Sequence, residues 1–459
     1  MRLPILIFLA SLFTTQLSGQ VYFSKNQVLE DLATLKTTLE EAHPNLFAYT
    51  TKYDFEALYH ELKNQIHGDS VSLLRTTGVF QQLSAIVNNG HTYVDFPIQP
   101  YVRYLQEGGT LFPLEITFED GKAYVRKDWS PNAAIQPGDE VVSINGRFMD
   151  EITAEIYPYI SAERPYFKLA KIEFYSFPRY YWQVFGKQDS YRVRIKNRAG
   201  VRTVVLQSID ANADFESKRT EIYQSERQLK YFDQVAYLNP GAFSGNEPEF
   251  QSFIDSVFVD IKQQKSRHLI IDLRNNTGGN DSFSDYMVSY FADKPFRWCS
   301  DFEIRSSKLL KELTRKYNDT TTTYNKEILS KRDGEVYAPA LKLYQPQPAQ
   351  KRYKGKIYVL VNRLSISQST VTAAQIKDYG WGMIVGEETG EYPSLYASVL
   401  QYPLPNTSIV VTISKGRITR VSGSRREEGL IPDILIRDHL LDENDEILDE
   451  LLKMIGQEE

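Results

Sequence analysis

Residues 269–279 read Leu-Ile-Ile-Asp-Leu-Arg-Asn-Asn-Thr-Gly-Gly, an apolar run that leads directly into a polar turn ending in two glycines. The apolar part has the length and composition of a buried β-strand. Similar strands and amphipathic helices alternate after it and before it, with strands at Gln234–Leu238, Lys356–Asn362 and Gly382–Gly386 and helices at Glu247–Lys265, Ser282–Phe291 and Ser369–Tyr379. Such alternation predicts a largely parallel sheet covered by helices, in which functional sites collect at the carboxyl ends of the strands.

The rest of the chain differs in character from this βα part and predicts a multidomain α/β protein. Apolar residues at helical spacing, from Val28 to Leu39 and beyond, predict a helical N-terminal cap over residues 21–100. Residues 104–210 have strand-like runs and turns and predict a β-module with an aromatic-rich insertion at Tyr157–Gly186. The βα part is placed at 215–440, and an acidic amphipathic helix at 441–459 closes the chain.

Composition excludes several classes of function. The chain has 459 residues, with 42% hydrophobic and 24% charged residues, which is ordinary for a folded globular protein. The net charge is −6 and no basic block stands out, so we expect no nucleic-acid partner. Cys299 is the only cysteine, which excludes an internal disulfide and a cysteine-based zinc site. Metal-binding and phosphate-loop motifs are lacking as well, and we expect neither a metal nor another cofactor.

The N-terminus predicts export from the cytoplasm. Arg2 is followed by the apolar stretch Leu3–Phe13 and by a polar, small-residue end up to Gln20. This pattern is typical of a secretory signal peptide and is too short for a comfortable membrane span, although an uncleaved anchor is the alternative. We expect residues 1–20 to be removed and the mature protein to be periplasmic or secreted, without a stable membrane span.

Three further motifs contain residues that could carry chemistry. Asn362–Thr370 is a strand end followed by a serine-rich turn with Ser365, Ser367 and Ser369 at alternate positions, just before a predicted helix. Serine caps helices well, so capping is the alternative to a catalytic role. Asn88–Thr92 presents His91 after a glycine, and histidine has a pKa suited to general-base work. Ala134–Gly146 contains a Pro-Gly-Asp turn, a strand and an Asn-Gly turn.

Together these motifs resemble the C-terminal processing and tricorn-core-like serine peptidases, a family that includes tail-specific proteases. Residues 270–279 resemble the family's Asp-Leu-Arg-x-Asn-x-Gly-Gly motif, and residues 365–369 its Ser-x-Ser-x-Ser turn. Residues 134–146 resemble the signature of a PDZ domain, a module that binds peptides at a sheet edge. The resemblance implies a catalytic core of the ClpP/crotonase type. It also implies Ser367 as the nucleophile and an oxyanion hole formed by the N–H groups of Gly278, or Gly279 as second choice, and Gln368.

The resemblance favours the histidine-based branch of the family. In the lysine-based branch a lysine follows a Gly-Glu-Pro-Thr-x-Gly segment, but here Gly386–Gly390 and Glu391 are followed by Tyr392. His91 is therefore the expected base. The histidine-based branch supplies a late glutamate that orients the base, and Glu427 is the nearest candidate, one residue out of frame. Thr92 is a second possible orienting residue.

The expected function is a secreted serine endopeptidase that cleaves extended or unfolded peptides with Ser367, His91 and Glu427. Two alternatives stay open. In the first, the protein keeps the fold but binds peptides or small apolar ligands with weak or no cleavage, as the missing lysine and displaced glutamate suggest. In the second, it is a scaffold that acts through the PDZ-like groove around Ile144.

Overall fold

The computed structural model describes residues 20–130, 135–218, 226–440 and 444–458. The predicted signal peptide therefore lies outside the described residues except for Gln20, as do Ala134 and the first residues of the predicted C-terminal helix. Among the described residues, no helix is both long and apolar enough to cross a membrane. The architecture is a multidomain α/β fold, as the sequence predicts, and it contains three larger sheets.

The N-terminal part consists of helices that begin at well-formed caps. Its elements are β1 (Tyr22–Ser24), α1 (Lys25–Ala42), α2 (Lys52–Gln65), β2 (Ser70–Ser72) and α3 (Leu73–Ala85). Ser24 forms a capping box with Gln27, which satisfies backbone N–H groups that have no partner within the helix. The buried faces of these helices pack on late strands of the chain through residues such as Val411 and Ile413, so this part shares its core with the C-terminal region.

The middle part is built around an antiparallel sheet. Its elements are β3 (Tyr93–Val94), α4 (Ile98–Gln106), β4 (Thr110–Leu111), β5 (Leu114–Glu119), β6 (Lys122–Asp128), β7 (Glu140–Ile144), β8 (Arg147–Phe148), α5 (Met149–Ile156), a 3-10 turn (Tyr157–Tyr159), α6 (Pro165–Tyr175), α7 (Phe177–Phe185), β9 (Ser190–Asn197), β10 (Gly200–Gln207), β11 (Ile209–Asp210) and a π-helical turn (Ala211–Glu216). The sheet order is β10-β9-β7-β6-β5, with β8 paired to β7. The aromatic-rich insertion forms α6 and α7, and α7 packs into the core of this sheet.

The C-terminal part contains the βα alternation. Its elements are β12 (Gln228–Phe232), β13 (Val235–Asn239), α8 (Glu247–Gln264), β14 (His268–Asp272), α9 (Asp281–Val288), β15 (Asp301–Arg305), α10 (Lys308–Tyr317), α11 (Thr323–Ser330), β16 (Val336–Tyr337), β17 (Lys356–Val361), α12 (Gln368–Tyr379), β18 (Met383–Gly386), β19 (Leu395–Pro403), β20 (Val410–Thr419), β21 (Ile434–Leu435) and α13 (Glu446–Glu458). The main sheet has the order β12-β13-β14-β17-β18-β21. In this sheet β13, β14, β17, β18 and β21 run parallel to one another, and only β12 is antiparallel.

The parallel strands bring the two predicted loops to one edge of the main sheet. β14 and β17 are neighbours, with Asp272 opposite Leu360, so the turns that follow them lie side by side. Buried residues such as Ile271, Val359 and Ile384 form the core between this sheet and its helices. A second sheet, of order β16-β15-β20-β19 with β3 paired to β20, links the late strands to the stretch just after His91.

Candidate active site

The turn after β17 holds Ser367 in an unusual backbone conformation. Ser367 has φ 58° and ψ −126°, in the positive-φ region that non-glycine residues seldom adopt. Ser365 and Ser369 donate hydrogen bonds from their hydroxyls to the carbonyl of Leu273, over 2.8 and 3.2 Å, and so fix the turn to the neighbouring strand end. Two of the three serines thus have structural contacts. Strain at a single residue that neighbouring contacts maintain is typical of functional sites.

The hydroxyl of Ser367 faces the imidazole of His91. The Oγ–Nε2 distance is 3.0 Å, although the two residues are 276 positions apart in the chain. His91 is partly buried in the loop between α3 and β3, which antiparallel pairing of β3 with β20 holds against the C-terminal part. The two sequence-predicted residues therefore lie at hydrogen-bonding distance, which is the geometry that a serine and its general base require.

A buried carboxylate completes this row of side chains, and it is Glu391 rather than Glu427. Glu391 Oε1 lies 3.0 Å from His91 Nδ1, and the Glu391 side chain is fully buried. Its other oxygen, Oε2, accepts a hydrogen bond from the backbone N–H of Ser367. Glu427 is exposed in the loop after β20. The one-residue shift that the sequence suggested therefore selects the wrong glutamate, because the loop after β18, not the loop after β20, passes beside His91.

Two of the three predicted oxyanion residues lie directly at the turn that carries Ser367. A β-carbon on Gly278 would be 2.6 Å from the backbone nitrogen of Gln368 and 2.8 Å from Cβ of Ser367, so only glycine fits there. Gln368 is the first residue of α12, and N–H groups in a first helical turn have no partner within the helix. The N–H of Gly278, in contrast, donates to Oδ1 of Asn276 over 2.9 Å.

Gly279 pairs with Phe243 on its other side. The N–H of Phe243 donates to the carbonyl of Gly278, and the N–H of Asn280 donates to the carbonyl of Phe243, over 3.0 and 2.8 Å. In such a parallel pairing, the residue that lies between the two bonded residues, here Gly279, has its own N–H on the opposite side of the strand. Gly279 therefore directs its N–H away from Phe243.

Comparison with known proteins gives this geometry a family. Residues 234–436 match the model of Peptidase family S41. By this match, the C-terminal part of the chain is related to peptidase family S41. The matched residues contain Gly278, Ser367 and Glu391, whereas His91 lies outside them and reaches the site only through the fold.

Curated and solved relatives agree with the family. The chain is 25% identical to the tail-specific protease of Haemophilus influenzae over 137 residues, which cover 30% of this chain and 15% of that protein. Mature CPAF complexed with lactacystin shares the fold, with a TM-score of 0.65 at 15% identity over 94% of this chain and 98% of that chain. Mature CPAF alone gives a TM-score of 0.64, also at 15% identity, over 94% of this chain and 97% of that chain. The chain therefore shares the fold of CPAF.

The position at which the resemblance would place a lysine is closed to solvent in this chain. Tyr392 is only 6% exposed and has a ring contact with Tyr49, with centroids 6.2 Å apart. It follows directly after Glu391, so the loop that would supply a lysine in one branch of the family supplies a carboxylate here. The sequence contained this signal, since Glu391 stands one residue before the expected lysine position and is the acid nearest to it.

The electrostatic surroundings of His91 suit a base. Burial lowers the pKa of His91, but the adjacent charge of Glu391 and its hydrogen bonding outweigh burial and leave the pKa above the ordinary value. The loop itself is held by Asn89, whose Oδ1 accepts from the hydroxyls of Thr92 and Ser414 over 2.8 and 2.7 Å. Asn89 is therefore a buried structural residue, and Thr92 contacts Asn89 rather than the imidazole.

A buried arginine joins the turn that carries Ser367 to the middle part. Arg363 is 4% exposed and pairs with Glu119, Glu173 and Glu387 at 2.7, 3.3 and 3.2 Å. It also donates to the carbonyl of Phe118 in β5 over 2.7 Å. Glu173 in turn accepts from the backbone N–H of Phe118 over 2.6 Å. The turn that carries Ser367 is thus connected by charged groups to the edge strand of the antiparallel sheet.

Proposed function

We propose that this chain is a serine endopeptidase that cleaves extended or unfolded polypeptides, with Ser367 as nucleophile, His91 as base and Glu391 as the orienting acid. The observation that carries the proposal is the continuous row Ser367 Oγ, His91 Nε2, His91 Nδ1 and Glu391 Oε1, with two separations of 3.0 Å. Three distant segments of the chain supply these atoms. A capping role for Ser367 would not require a histidine and a buried carboxylate in line with it.

The geometry supports acyl transfer in two steps. Ser367 Oγ attacks the peptide carbonyl while its proton passes to Nε2 of His91, and the imidazolium is stabilised by Glu391. Nε2 then gives this proton to the departing amine, which leaves an ester on Ser367. In the second step water attacks that ester, His91 takes the proton of the water, and it returns a proton to Ser367 Oγ as the acid product leaves.

The oxyanion that forms in each step needs donors at the nucleophile turn. We propose the N–H of Gln368, at the positive end of the α12 dipole, as the first donor. Gly279 is the better second donor, because its N–H points away from Phe243 whereas that of Gly278 is engaged by Asn276. Release of Gly278 from Asn276 on substrate binding would add a third donor.

The middle part retains its PDZ-like interpretation as a proposal. Residues 104–210 contain an antiparallel sheet in which β5 is an edge strand. Two backbone groups of β5 are already occupied, because the N–H and the carbonyl of Phe118 bind Glu173 and Arg363. We therefore propose that this strand supports the nucleophile turn, and we do not place a substrate peptide at this part of its edge.

The proposed location is the bacterial periplasm or the extracellular space, reached through a cleaved signal peptide at residues 1–20. The apolar stretch Leu3–Phe13 after Arg2 supports it. N-terminal sequencing of the protein recovered from a periplasmic or culture-medium fraction should begin near Val21. An intact Met1 in the membrane fraction would support an uncleaved anchor instead.

The test of the proposed function is proteolysis of a denatured protein by the purified enzyme. Wild type should release peptides, and Ser367→Ala should reduce the rate to background. Ser330→Ala, at an exposed serine in α11, is the matched control and should leave the rate unchanged. Peptide binding without cleavage by wild type would favour the alternative of a binding protein, and full activity of Ser367→Ala would contradict the assigned nucleophile.

A further inference from the structure

The helical insertion of the middle part contacts the loop that carries His91. Ser161 donates from its hydroxyl to the carbonyl of Asn89 over 2.8 Å. Glu163 Oε1 accepts from the backbone N–H of Gly90 over 2.8 Å and from Nδ2 of Asn89 over 3.1 Å. These contacts join residues more than 70 positions apart. The insertion therefore forms part of the frame of the active site.

A lysine holds the other side of the same glycine. Lys171 Nζ, on α6, donates to the carbonyl of Gly90 over 3.2 Å and to the carbonyl of Ser161 over 2.7 Å. The N–H of Gly90 thus donates to a carboxylate, and its C=O accepts from an ammonium group. Hydrogen bonds to charged groups are about twice as strong as those between neutral groups. Because Gly90 directly precedes His91, these two bonds fix the direction in which the imidazole leaves the backbone.

Glu163 also brings a second carboxylate next to Glu391. Glu163 Oε2 and Glu391 Oε1 each lie 3.2 Å from the point that a β-carbon on Gly90 would occupy. Glu163 Oε2 is buried and has no hydrogen-bond partner among the described residues. The N–H groups on Oε1 favour the charged form of this carboxyl group, but burial and the neighbouring Glu391 outweigh them and raise the pKa of Glu163. The row of Ser367, His91 and Glu391 therefore has a second carboxyl group beside it, with Lys171 nearby.

We propose that Glu163 and Lys171 are positioning residues for His91. Together they fix the two peptide groups on either side of Gly90, and their charges, which have opposite signs, act on the imidazole. The part of this proposal that concerns catalysis rests on the proposed peptidase function. Neither residue touches the reacting atoms, so both act through His91. The insertion then has a task in the reaction that its sequence pattern did not indicate.

The charges around this pair predict the direction of each effect. The negative charge of Glu163 raises the pKa of His91, and the positive charge of Lys171 lowers it. Burial raises the pKa of Glu163, with Glu391 adding to this, and burial lowers that of Lys171. Other titratable groups that face the pair are Lys168 on α6, Asp95 after β3, and Tyr49 and Tyr392.

The first experiment measures kcat and KM against pH for Glu163→Gln and Lys171→Met. Each variant should lower kcat about 10- to 100-fold, the cost of a misplaced catalytic group, with little change in KM. The acid limb of kcat/KM should move to lower pH in Glu163→Gln and to higher pH in Lys171→Met. Lys171→Arg, which keeps the charge, should restore the wild-type limb. Glu155→Gln and Lys187→Met, at exposed positions, are the matched controls.

The proposal would be overturned if the acid limb of kcat/KM lay at the same pH in all variants or moved in the same direction in Glu163→Gln and Lys171→Met. A role limited to folding would not move the limb in opposite directions. A second measurement does not need turnover. In the inactive Ser367→Ala protein, the histidine Cε1–H signals can be titrated by NMR, with His91 assigned by its loss in His91→Gln. The His91 midpoint should fall in Glu163→Gln and rise in Lys171→Met. An unmoved midpoint contradicts the positioning role, whereas moved midpoints in an enzyme without turnover contradict only the peptidase function.

Discussion

The carboxylate of Glu391 contacts both partners of the proposed reaction. One oxygen lies beside His91 Nδ1, and the other accepts the backbone N–H of the proposed nucleophile, Ser367. A single side chain therefore fixes the relative position of base and nucleophile. In the proposed mechanism it also supplies the negative charge that stabilises the imidazolium during proton transfer.

Removal of this charge defines the first prediction. Glu391→Gln should reduce kcat by roughly 10⁴-fold, the scale known for a triad acid changed to its amide, because the amide no longer selects the tautomer with the proton on Nδ1. Glu427→Gln is the matched control and should keep kcat within about twofold, since Glu427 is exposed. Steady-state kinetics on a peptide substrate compare the two. A large loss of kcat in Glu427→Gln, with little change in Glu391→Gln, would instead assign the role of orienting acid to Glu427.

The pH profile of wild type gives a second prediction at this scale. Because the pKa of His91 is raised, the imidazole stays protonated above the usual histidine value of about 6.5. A protonated imidazole cannot accept the proton of Ser367, so kcat/KM should rise with pH through a limb that lies above this value. A limb below it would show that Glu391 does not act on His91 in the free enzyme.

At the scale of elements, the antiparallel sheet and the main parallel sheet meet through Arg363. Its guanidinium is surrounded by Glu119 of β5, Glu173 of α6 and Glu387 after β18. A buried charge cluster of this kind contributes little net stability when intact, but loss of one partner leaves the others uncompensated. The three carboxylates make Arg363 the residue on which the junction depends.

Arg363→Met should therefore destabilise the protein by about 3–5 kcal/mol, as measured by denaturant unfolding. It should also slow Ser367 chemistry, because the nucleophile turn loses its anchor at β5. Arg437→Met removes an exposed pair with Asp120, in which the two side chains are 52% and 77% exposed, and should cost about 0–1 kcal/mol. Equal stability of the two variants would contradict the claim that Arg363 holds the two sheets together.

The elements themselves could largely be predicted from the sequence, because their signals are local. The observed α8, Glu247–Gln264, lies within one residue of the predicted helix, and the β14 strand and its glycine turn follow from an apolar run and two glycines. The partner of His91 could not be predicted in the same way. Glu391 and Glu427 are both acids in polar loops, and only the sheet order places the loop after β18 next to the loop after α3.

Long-range contacts explain the remaining differences between expectation and structure. The insertion at Tyr157–Gly186 reads as an aromatic-rich helical segment, and nothing in its pattern shows that Glu163 and Lys171 reach Gly90. The N-terminal helices read as a cap, but their apolar faces pack on β20. Such contacts depend on residues hundreds of positions apart, for which a single sequence carries no periodic signal.

At the scale of the whole molecule, a buried histidine links pH to stability. His43 at the end of α1 is fully buried, its Nδ1 accepts from the N–H of Asn45 over 3.2 Å, and its Nε2 lies 3.4 Å from Asn89 Oδ1. Burial lowers the pKa of His43 to about 4. The neutral ring therefore connects the N-terminal helices to the loop of the base.

This lowered pKa predicts acid sensitivity with a definite sign. Below about pH 6.5 the unfolded chain binds a proton at this residue, whereas the folded protein binds it only near pH 4. The free energy of unfolding therefore falls as pH falls through this window. Between pH 7 and pH 5 the loss from His43 is about 2 kcal/mol. Denaturant unfolding of wild type and His43→Gln at both pH values measures it. The difference should shrink in His43→Gln and persist in His60→Gln, which alters an exposed histidine.

The most direct test of the central claim is the rate at which a fluorophosphonate probe labels the purified protein, with the adduct located by peptide mapping. The account predicts one adduct, on Ser367, that forms far more slowly in His91→Ala and Glu391→Gln and at the wild-type rate in Glu427→Gln. An adduct on another serine, or labelling of Ser367 that is unaffected by loss of His91, would contradict the proposed row of nucleophile, base and acid.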